Sequence, residues 1–394
     1  MRLVILTQYY PPETGAPQNR LHELAMRLVL SGDDVEVFTA MPNYPSMKIQ
    51  EQYRGKLFCS ETIDKVRVHR SWIYCSSSKA LVPRLLNYFS FVFTSFWFAL
   101  FKMRRADVLI CESPPLFLGK TAYVLSRIKR TPLHLNVSDL WPESAVALGL
   151  VTNKFLISIS TTLEEFLYRK STTISGQTKG ICTSISTRYP NKPVYWFPNG
   201  VDVELFQPME KSSGLREELG LKDSSFVIIY AGIIGHAQGL ELLVHAAAQL
   251  KDDGVEFLLL GNGPEKEELK QLTSTLALNN VVFHDFVPKS QMKMVLSCVD
   301  ASVVPLKKND LFKGAIPSKI FENLAMKIPV LLGVEGEAYQ LFVEEGKCAL
   351  PFEPENVKSL TDAVLRLRND ADLRAQVGES GLSYVKAKFS REQT

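Results

Sequence analysis

The chain has 394 residues, 46% of them hydrophobic, with 45 Lys and Arg against 42 Asp and Glu for a net charge of +3. That length fits two or three domains of roughly 150 residues, and the apolar fraction suffices for sizeable cores. So small a net charge gives no argument for nucleic acid as a partner, although local basic clusters can serve a membrane or a phosphate.

The opening MRLVILTQYYPPE has too short an apolar run before its prolines to be a secretory signal, and reads as a first strand over 2–8. A loop containing TGAP (14–17) follows, where Gly15 allows close backbone approach to a ligand. Apolar residues at helical spacing over 19–32, ending at a glycine, predict a helix, and 34–40 predicts a strand. Further strands are expected at 107–113 and 132–141, with an apolar segment at 121–128 between them. Apolar strands alternating with helices argue for a mostly parallel sheet covered on both faces. Six cysteines, at 59, 75, 111, 182, 298 and 348, lack any paired spacing for zinc or a redox dithiol, and a reducing cytoplasm is the simplest home.

Segment 82–105, VPRLLNYFSFVFTSFWFALFKMRR, stands apart. It carries no charge from Leu85 to Phe101, is crowded with aromatics, and is bracketed by Arg84 and by Lys102, Arg104 and Arg105. Spanning a bilayer takes about 20 apolar residues, and this run is slightly short and interrupted by Asn87, Ser90, Thr94 and Ser95. Two readings compete: a helix in the membrane interface with its basic flanks near anionic headgroups, or a core helix whose aromatics fill the interior.

After the turn-rich WFPNGVDVELFQP (196–208) the pattern starts again. A strand at 225–232, a helix at 239–254, a strand at 255–261, a helix at 264–276 and strands at 280–286, 301–306 and 329–334 predict a second doubly wound unit. The domain boundary is placed near Pro198 to Pro208, giving an N-terminal domain 1–200 and a C-terminal domain 201–394. Two such domains in tandem are expected to face each other across a cleft, with ligands at the carboxyl ends of the strands. At the end of the chain, Ser390-Arg391-Glu392-Gln393 has capping-box spacing, which predicts a helix starting there and a chain that continues past Thr394.

The stretch GAIPSKIFENLAMKIPVLL (314–332) reads as loop, short helix and buried strand. A helix start offers unpaired N–H groups and the positive end of a dipole, to which Pro317, Ser318 and Lys319 can add a hydroxyl and an ammonium around a diphosphate. Glu322, one turn in, can accept hydrogen bonds from vicinal hydroxyls such as those of a ribose. Alternatively Ser318 only caps the helix, Lys319 is solvated, and Glu322 pairs with it at i, i+3. AGIIGHAQG (231–239), holding Gly232 and His236, and GNGP (261–264), holding Gly263, are glycine-bearing turns after strands; none is the G-x-G-x-x-G fingerprint, which counts against a nicotinamide enzyme.

Taken together, YYPPETGAPQNR, MPNYP (41–45), NVSDLWPES (136–144), FPNGVDVELFQP, GNGP, FHDFVPKSQM (283–292) and PSKIFENLAMKIPVLL resemble the retaining, nucleotide-sugar-dependent glycosyltransferases of family 4 over essentially the whole chain. PPETGAPQNR, DLWPES and IPSKIFE resemble the bacterial O-antigen and capsule transferases that include L-fucosamine transferases. The resemblance implies the GT-B architecture of two Rossmann-like domains. It implies transfer of a sugar such as an N-acetylated 6-deoxyhexosamine from a UDP-sugar to a polyprenyl-diphosphate-linked saccharide in O-antigen, capsule or lipopolysaccharide synthesis. The enzyme would be cytoplasmic and peripheral at the inner membrane surface, held there through 85–101.

Residue by residue, the family's two glutamates before the A-x-G-x-P-V segment fall on Gly314 and Glu322, so the usual sugar contact is missing. The Arg and Lys that clamp the diphosphate in many relatives fall on Ile233 and Gln238. Lys319, the amides of Ser318 and Lys319, and the Gly15 loop are then expected to take that charge, with His236 as a further donor-site candidate. Gly232, Gly263, Pro317 and Ile320 complete the expected donor site, and Phe286 and Val287 are expected at the base. Front-face attack needs no protein nucleophile; Asp139 and Glu143 are expected to orient the acceptor or assist proton movement, with Asn43 as another acceptor contact, or else Asp139 caps a turn and Glu143 pairs with a surface base. No metal or other cofactor is expected: the one D-x-D triplet, Asp370-Ala371-Asp372, lies in a charged helical region and reads as a solvated turn. Two other classes remain, a nucleotide-sugar 2-epimerase and a degenerate nucleotide-binding subunit of a polysaccharide-assembly complex.

Overall fold

The computed structural model describes residues 1–13, 15–44, 47–76, 78, 81–147, 151–211 and 213–393; Thr14, Pro45 and Thr394, and the side chain of Arg84, lie outside the described residues. The chain divides into two compact units, Met1–Phe197 and Pro198–Thr394.

In the first unit, eight strands form one sheet: β1 (Arg2–Leu6), β2 (Asp34–Ala40), β3 (Phe58–Ile63), β4 (Val66–Ser71), β5 (Val108–Ser113), β6 (Leu133–Val137), β7 (Thr173–Gly176) and β8 (Val194–Trp196), in the order 3-4-2-1-5-6-7-8. All neighbours are parallel except β3, which pairs antiparallel with β4 through a two-residue turn at Asp64 and Lys65, both at positive φ. A two-residue hairpin favours such left-handed backbone because its twist matches that of the strands. On β1, Val4 and Leu6 face one hydrophobic cluster while Leu3 and Ile5 face another, so the sheet is apolar on both sides as a parallel sheet under helices must be. Helices Ala16–Leu30, Leu81–Lys102 and Leu116–Lys129 supply the cover.

The second unit repeats the scheme with six parallel strands: β9 (Phe226–Ala231), β10 (Val255–Leu260), β11 (Val281–His284), β12 (Ala301–Pro305), β13 (Val330–Gly333) and β14 (Ala349–Pro351), in the order 11-10-9-12-13-14. The run VEFLLL in β10 is buried throughout; Phe257 and Leu259 join one core cluster, Leu258 and Leu260 the other. Each unit is thus Rossmann-like, and each has a point where strand order reverses: between β1 and β5, and between β9 and β12. Loops at the carboxyl ends of those strands are where such sheets bind ligands.

Helix Leu81–Lys102 has one face in the core and the other exposed. Asn87, Phe91, Ser95 and Ala99 are buried, whereas Val82, Leu86, Phe89, Phe93, Trp97 and Phe101 are exposed, Phe101 to 80%. Both sets recur at three- or four-residue steps, so they are opposite faces of one helix. By length and composition its stretch Leu85–Lys102 is long and apolar enough to cross a membrane. At the end of the chain, residues 391–393 form a turn in which the Gln393 N–H donates to the Ser390 carbonyl, 2.9 Å, where capping-box spacing predicts a helix start.

Candidate active site

In the second unit three strand-end loops are tied together at the switch point. The Ile234 N–H donates to the Asn262 carbonyl (2.9 Å), the Glu265 N–H to the Ile234 carbonyl (3.2 Å), and the Lys307 N–H to the Ala237 carbonyl (3.0 Å). Glycine makes the first two contacts feasible: a Cβ on Gly261 would lie 1.8 Å from the Gly232 carbonyl oxygen, and one on Gly263 would lie 2.1 Å from that of Ile234. Gly263 therefore serves loop-to-loop packing in this structure. The space a side chain on Gly232 would need is occupied by the ammonium of Lys319, 2.7 Å from the ideal Cβ position.

Lys319 begins the helix Lys319–Ala325, and its Nζ stands 3.7 Å from the centroid of the Tyr230 ring, whose hydroxyl donates to the Ile233 carbonyl at 2.6 Å. Water still reaches part of the lysine stem, but the ammonium itself lies against Gly232 and the Tyr230 face. Burial there pushes its pKa down to about 7, against a weaker upward pull from the Glu322 carboxylate. The face of an aromatic ring attracts a cation without giving it a hydrogen-bond acceptor. Among the described residues Lys319 has no ion pair or hydrogen bond through Nζ. Nor does Ser318 cap the helix by its side chain, so the capping alternative for Ser318 is not what the structure holds. The N–H groups of Ile320 and Phe321 close onto the carbonyls of Pro317 and Ser318. Ile320 is fully buried in the core, so its side chain fills the interior and only its backbone belongs to the loop. A Cβ on Gly314 would meet nothing within 4 Å.

At the ends of β10 and β11 a single buried lysine organises the backbone. Lys266 Nζ donates to the Gly261 carbonyl (2.8 Å), Asn262 Oδ1 (2.9 Å), the His284 carbonyl (3.2 Å) and Asp285 Oδ1 (2.7 Å). Asp285 is held below the usual carboxylate range by that hydrogen bond. Beside this knot Phe286 is 42% exposed, while Val287 packs partly on the core. β11 stops at His284, two residues short of the strand predicted over 280–286, and the Phe286 ring is left uncovered. His236 Nδ1 meets Glu265 Oε1 in a short hydrogen bond, its own side chain open to solvent.

In the first unit the SDLWPES loop is rooted by a network that its sequence spacing conceals. Arg20 and Glu112, almost wholly buried, meet at 2.6 Å; Arg20 also donates to Ser138 Oγ (3.0 Å), which bonds Glu112 in turn. Asn136 donates to the other Glu112 oxygen (2.6 Å) and accepts from Ser175 (2.6 Å), which meets His134 at 2.8 Å. The Ser138 N–H donates to the Ser113 carbonyl (2.8 Å), so the residue before Asp139 is fixed from two directions. Asp139 is open to solvent on one side and accepts from Ser144 Oγ at 2.7 Å; the protein packed on its other side raises its pKa, while the Ser144 hydroxyl and the Leu140 N–H pull it back. Glu143 is exposed at the start of the short helix Glu143–Ala147.

Asn43 is placed differently from the expected acceptor contact. It is buried, its amide donating to the Met41 carbonyl (2.9 Å), and its N–H with that of Tyr44 binds Glu13 Oε1 at 2.7 and 2.8 Å. Burial raises the Glu13 pKa despite those two donors. Gly15 caps helix Ala16–Leu30 by its carbonyl alone, in extended backbone that any residue adopts. Asp370 caps helix Ala371–Lys388, its Oδ1 accepting the Leu373 N–H at 2.8 Å, and no group of three or more His, Cys, Asp or Glu is gathered among the described residues. Tyr230, Lys266, Arg20 and Glu112 escaped sequence reasoning; the only signal was their charged or aromatic type, at or after strand ends for Tyr230, Lys266 and Glu112 and in the first helix for Arg20.

Residues 15–200 match the profile described as glycosyl transferase 4-like domain, and residues 212–383 match that described as glycosyl transferases group 1. The chain is 26% identical over 374 residues to an Escherichia coli K12 protein described as a colanic acid biosynthesis glycosyl transferase, WcaI, covering 92% of this chain and 91% of that one. Among solved structures it superposes on a sucrose-phosphate synthase from Thermosynechococcus elongatus (TM-score 0.76, 17% identity, 99% and 95% of the two chains). It superposes likewise on HepE from Anabaena solved with UDP and glucose (TM-score 0.71, 18% identity, 99% and 96%). The chain is a glycosyltransferase of the GT-B fold, with a family-4-like N-terminal domain and a group 1 C-terminal domain. The 2-epimerase alternative finds no support in these likenesses.

Proposed function

We propose that the protein is a retaining transferase that moves a sugar, an N-acetylated 6-deoxyhexosamine such as L-FucNAc, from a UDP-sugar to a polyprenyl-diphosphate-linked saccharide. The pathway would be bacterial surface-polysaccharide synthesis, of O-antigen or capsule type, at the inner face of the plasma membrane. The observation that carries it is Lys319: an ammonium held on a tyrosine face at the switch point of a group 1 domain, with no anion of its own. A diphosphate supplies that anion and restores the charge that burial disfavours. Colanic acid is the product class in the description of WcaI, and HepE was solved with UDP and glucose, which supports the pathway and the donor by analogy.

In this reading Lys319, Ser318 and the loop glycines Gly232 and Gly263 bind the diphosphate with no metal, and Glu322 takes the ribose hydroxyls. Phe286 and Val287 take the uracil, and His236 and Gly15 are subsidiary. The acceptor hydroxyl adds to the anomeric carbon on the face from which the phosphate leaves, the C–O bond to phosphate breaks, and the leaving phosphate oxygen takes the proton. Stabilising the departing charge is then the main catalytic task, an electrostatic role for a preorganised ammonium. Asp139 and Glu143 orient the acceptor, and the exposed face of helix Leu81–Lys102 rests on the membrane.

The test is a melting-temperature screen with UDP, GDP, ADP, dTDP and their sugars, since a ligand stabilises the state it binds. An upward shift with UDP that is lost in Glu322→Ala supports the proposal. A well-folded protein that responds to no nucleotide would make it a degenerate subunit.

A further inference from the structure

Strands β10 and β11 stop pairing one rung before their register requires it. In this parallel ladder Leu260 lies opposite His284, and the last rung runs from the Gly261 N–H to the His284 carbonyl at 2.9 Å. Rungs of a parallel pair alternate in direction, so the next would carry the Phe286 N–H to the Gly261 carbonyl. That bond is not formed. The Gly261 carbonyl accepts from Lys266 Nζ instead, at 2.8 Å. The same ammonium donates to the His284 carbonyl (3.2 Å) and to Asp285 Oδ1 (2.7 Å), and His284 Nδ1 donates to the Asp285 carbonyl (3.0 Å). Both residues before Phe286 are thereby fixed.

The result is a free backbone edge at a strand end. Among the described residues nothing bonds the Phe286 N–H or its carbonyl, and the ring beside them is 42% exposed. Lys266 is only 7% exposed, so its ammonium is committed to these acceptors. One N–H and one carbonyl complement the O4 and N3–H of uracil. Cytosine presents the reverse pattern, an amino group and a bare N3, and would leave both backbone groups unpaired. We infer that Lys266 is a positioning residue for nucleobase selection, a role that rests on the UDP-sugar donor of the proposed function. By occupying the Gly261 carbonyl it ends the ladder early and keeps the Phe286 N–H available to a uracil carbonyl. Without it, the missing rung closes and the donor is consumed inside the sheet.

The experiment titrates the full chain with UDP, CDP and inorganic diphosphate by calorimetry, and follows hydrogen exchange at the Phe286 amide. Wild type should prefer UDP to CDP by about 10- to 100-fold, and Lys266→Met should bring that ratio below about threefold while diphosphate affinity stays within about twofold. Exchange at Phe286 should be fast in free wild type and slowed by UDP; in Lys266→Met it should already be slow without ligand. A lysine that merely stabilises the fold would have the opposite signature, faster exchange in the variant with the nucleotide ratio unchanged, and that result overturns the inference. If Lys266→Met does not fold, Asp285→Ala removes one exposed acceptor of the ammonium and should lower the ratio part-way; an unchanged ratio there overturns it equally. Nucleotide binding with equal UDP and CDP affinities in wild type refutes the base selection alone, whereas a wild type that binds no nucleotide refutes the transferase reading and the base contact together.

Discussion

Replacing Lys319 with Met removes the ammonium while keeping an apolar stem over the Tyr230 ring. A hydrogen bond to a charged group is worth about 1.5–3 kcal/mol, so UDP should bind roughly 10- to 150-fold more weakly to Lys319→Met at pH 6. With the lysine pKa near 7, about nine-tenths of the unliganded protein carries the charge at pH 6 and about a tenth at pH 8. Wild-type affinity should therefore fall by up to about tenfold between those values, and the variant should lack that part of the profile; its own curve also subtracts ionisation of the nucleotide. Stability gives an independent check with the opposite sense. The folded-state pKa lies below the unfolded value of about 10.4, so the unfolded chain binds more protons between pH 7 and 10. Wild-type stability should accordingly rise with pH in that window, by about 1 kcal/mol per unit relative to Lys319→Met, and the deficit is complete below pH 7. Isothermal titration with UDP and urea unfolding at pH 6 to 9 measure both. Equal UDP affinities with parallel pH profiles would refute the role given to Lys319.

Other expectations are independent of the donor. Gly263→Ala places a methyl against the Ile234 carbonyl and should lower unfolding free energy by about 1–3 kcal/mol, whereas Gly314→Glu enters open space and should stay within about 0.5 kcal/mol in urea. Arg20→Met strands the buried Glu112 carboxylate and should cost roughly 3–5 kcal/mol; a loss under 1 kcal/mol would mean the network does not anchor the 138–144 loop. Substituting Phe93, Trp97 and Phe101 together with Ser should leave the circular dichroism and urea midpoint nearly unchanged and abolish flotation with anionic vesicles. Retained flotation would remove the helix from the membrane contact.

The elements legible in the sequence were those whose pattern is local. Runs such as DVEVFTA and VEFLLL can only be buried strands, and helix Glu241–Gln249 announces itself by periodic apolar residues. The β3–β4 hairpin was missed because its turn uses Asp64 and Lys65 in left-handed backbone, where the usual glycine or asparagine signal is absent. Segment 82–105 was ambiguous for a physical reason: both faces of that helix carry aromatic residues, and only packing against the sheet selects the face with Asn87, Phe91, Ser95 and Ala99 as the buried one.

Sequence alone determined two tandem α/β units and the glycine-bearing strand ends, since these follow from periodicity and turn chemistry. It also marked Lys319 and Glu322 as a pair one turn apart. Tertiary structure decided what those groups meet. Tyr230 under Lys319, Lys266 across two strand ends, and, in the other unit, Glu112 against Arg20 are contacts between residues distant in the chain, created when the parallel strands of each sheet bring their carboxyl ends to one edge of that sheet. Burial moves the Lys319 pKa in the second unit and covers Asn43 in the first, and neither desolvation nor cover can be read from residue type.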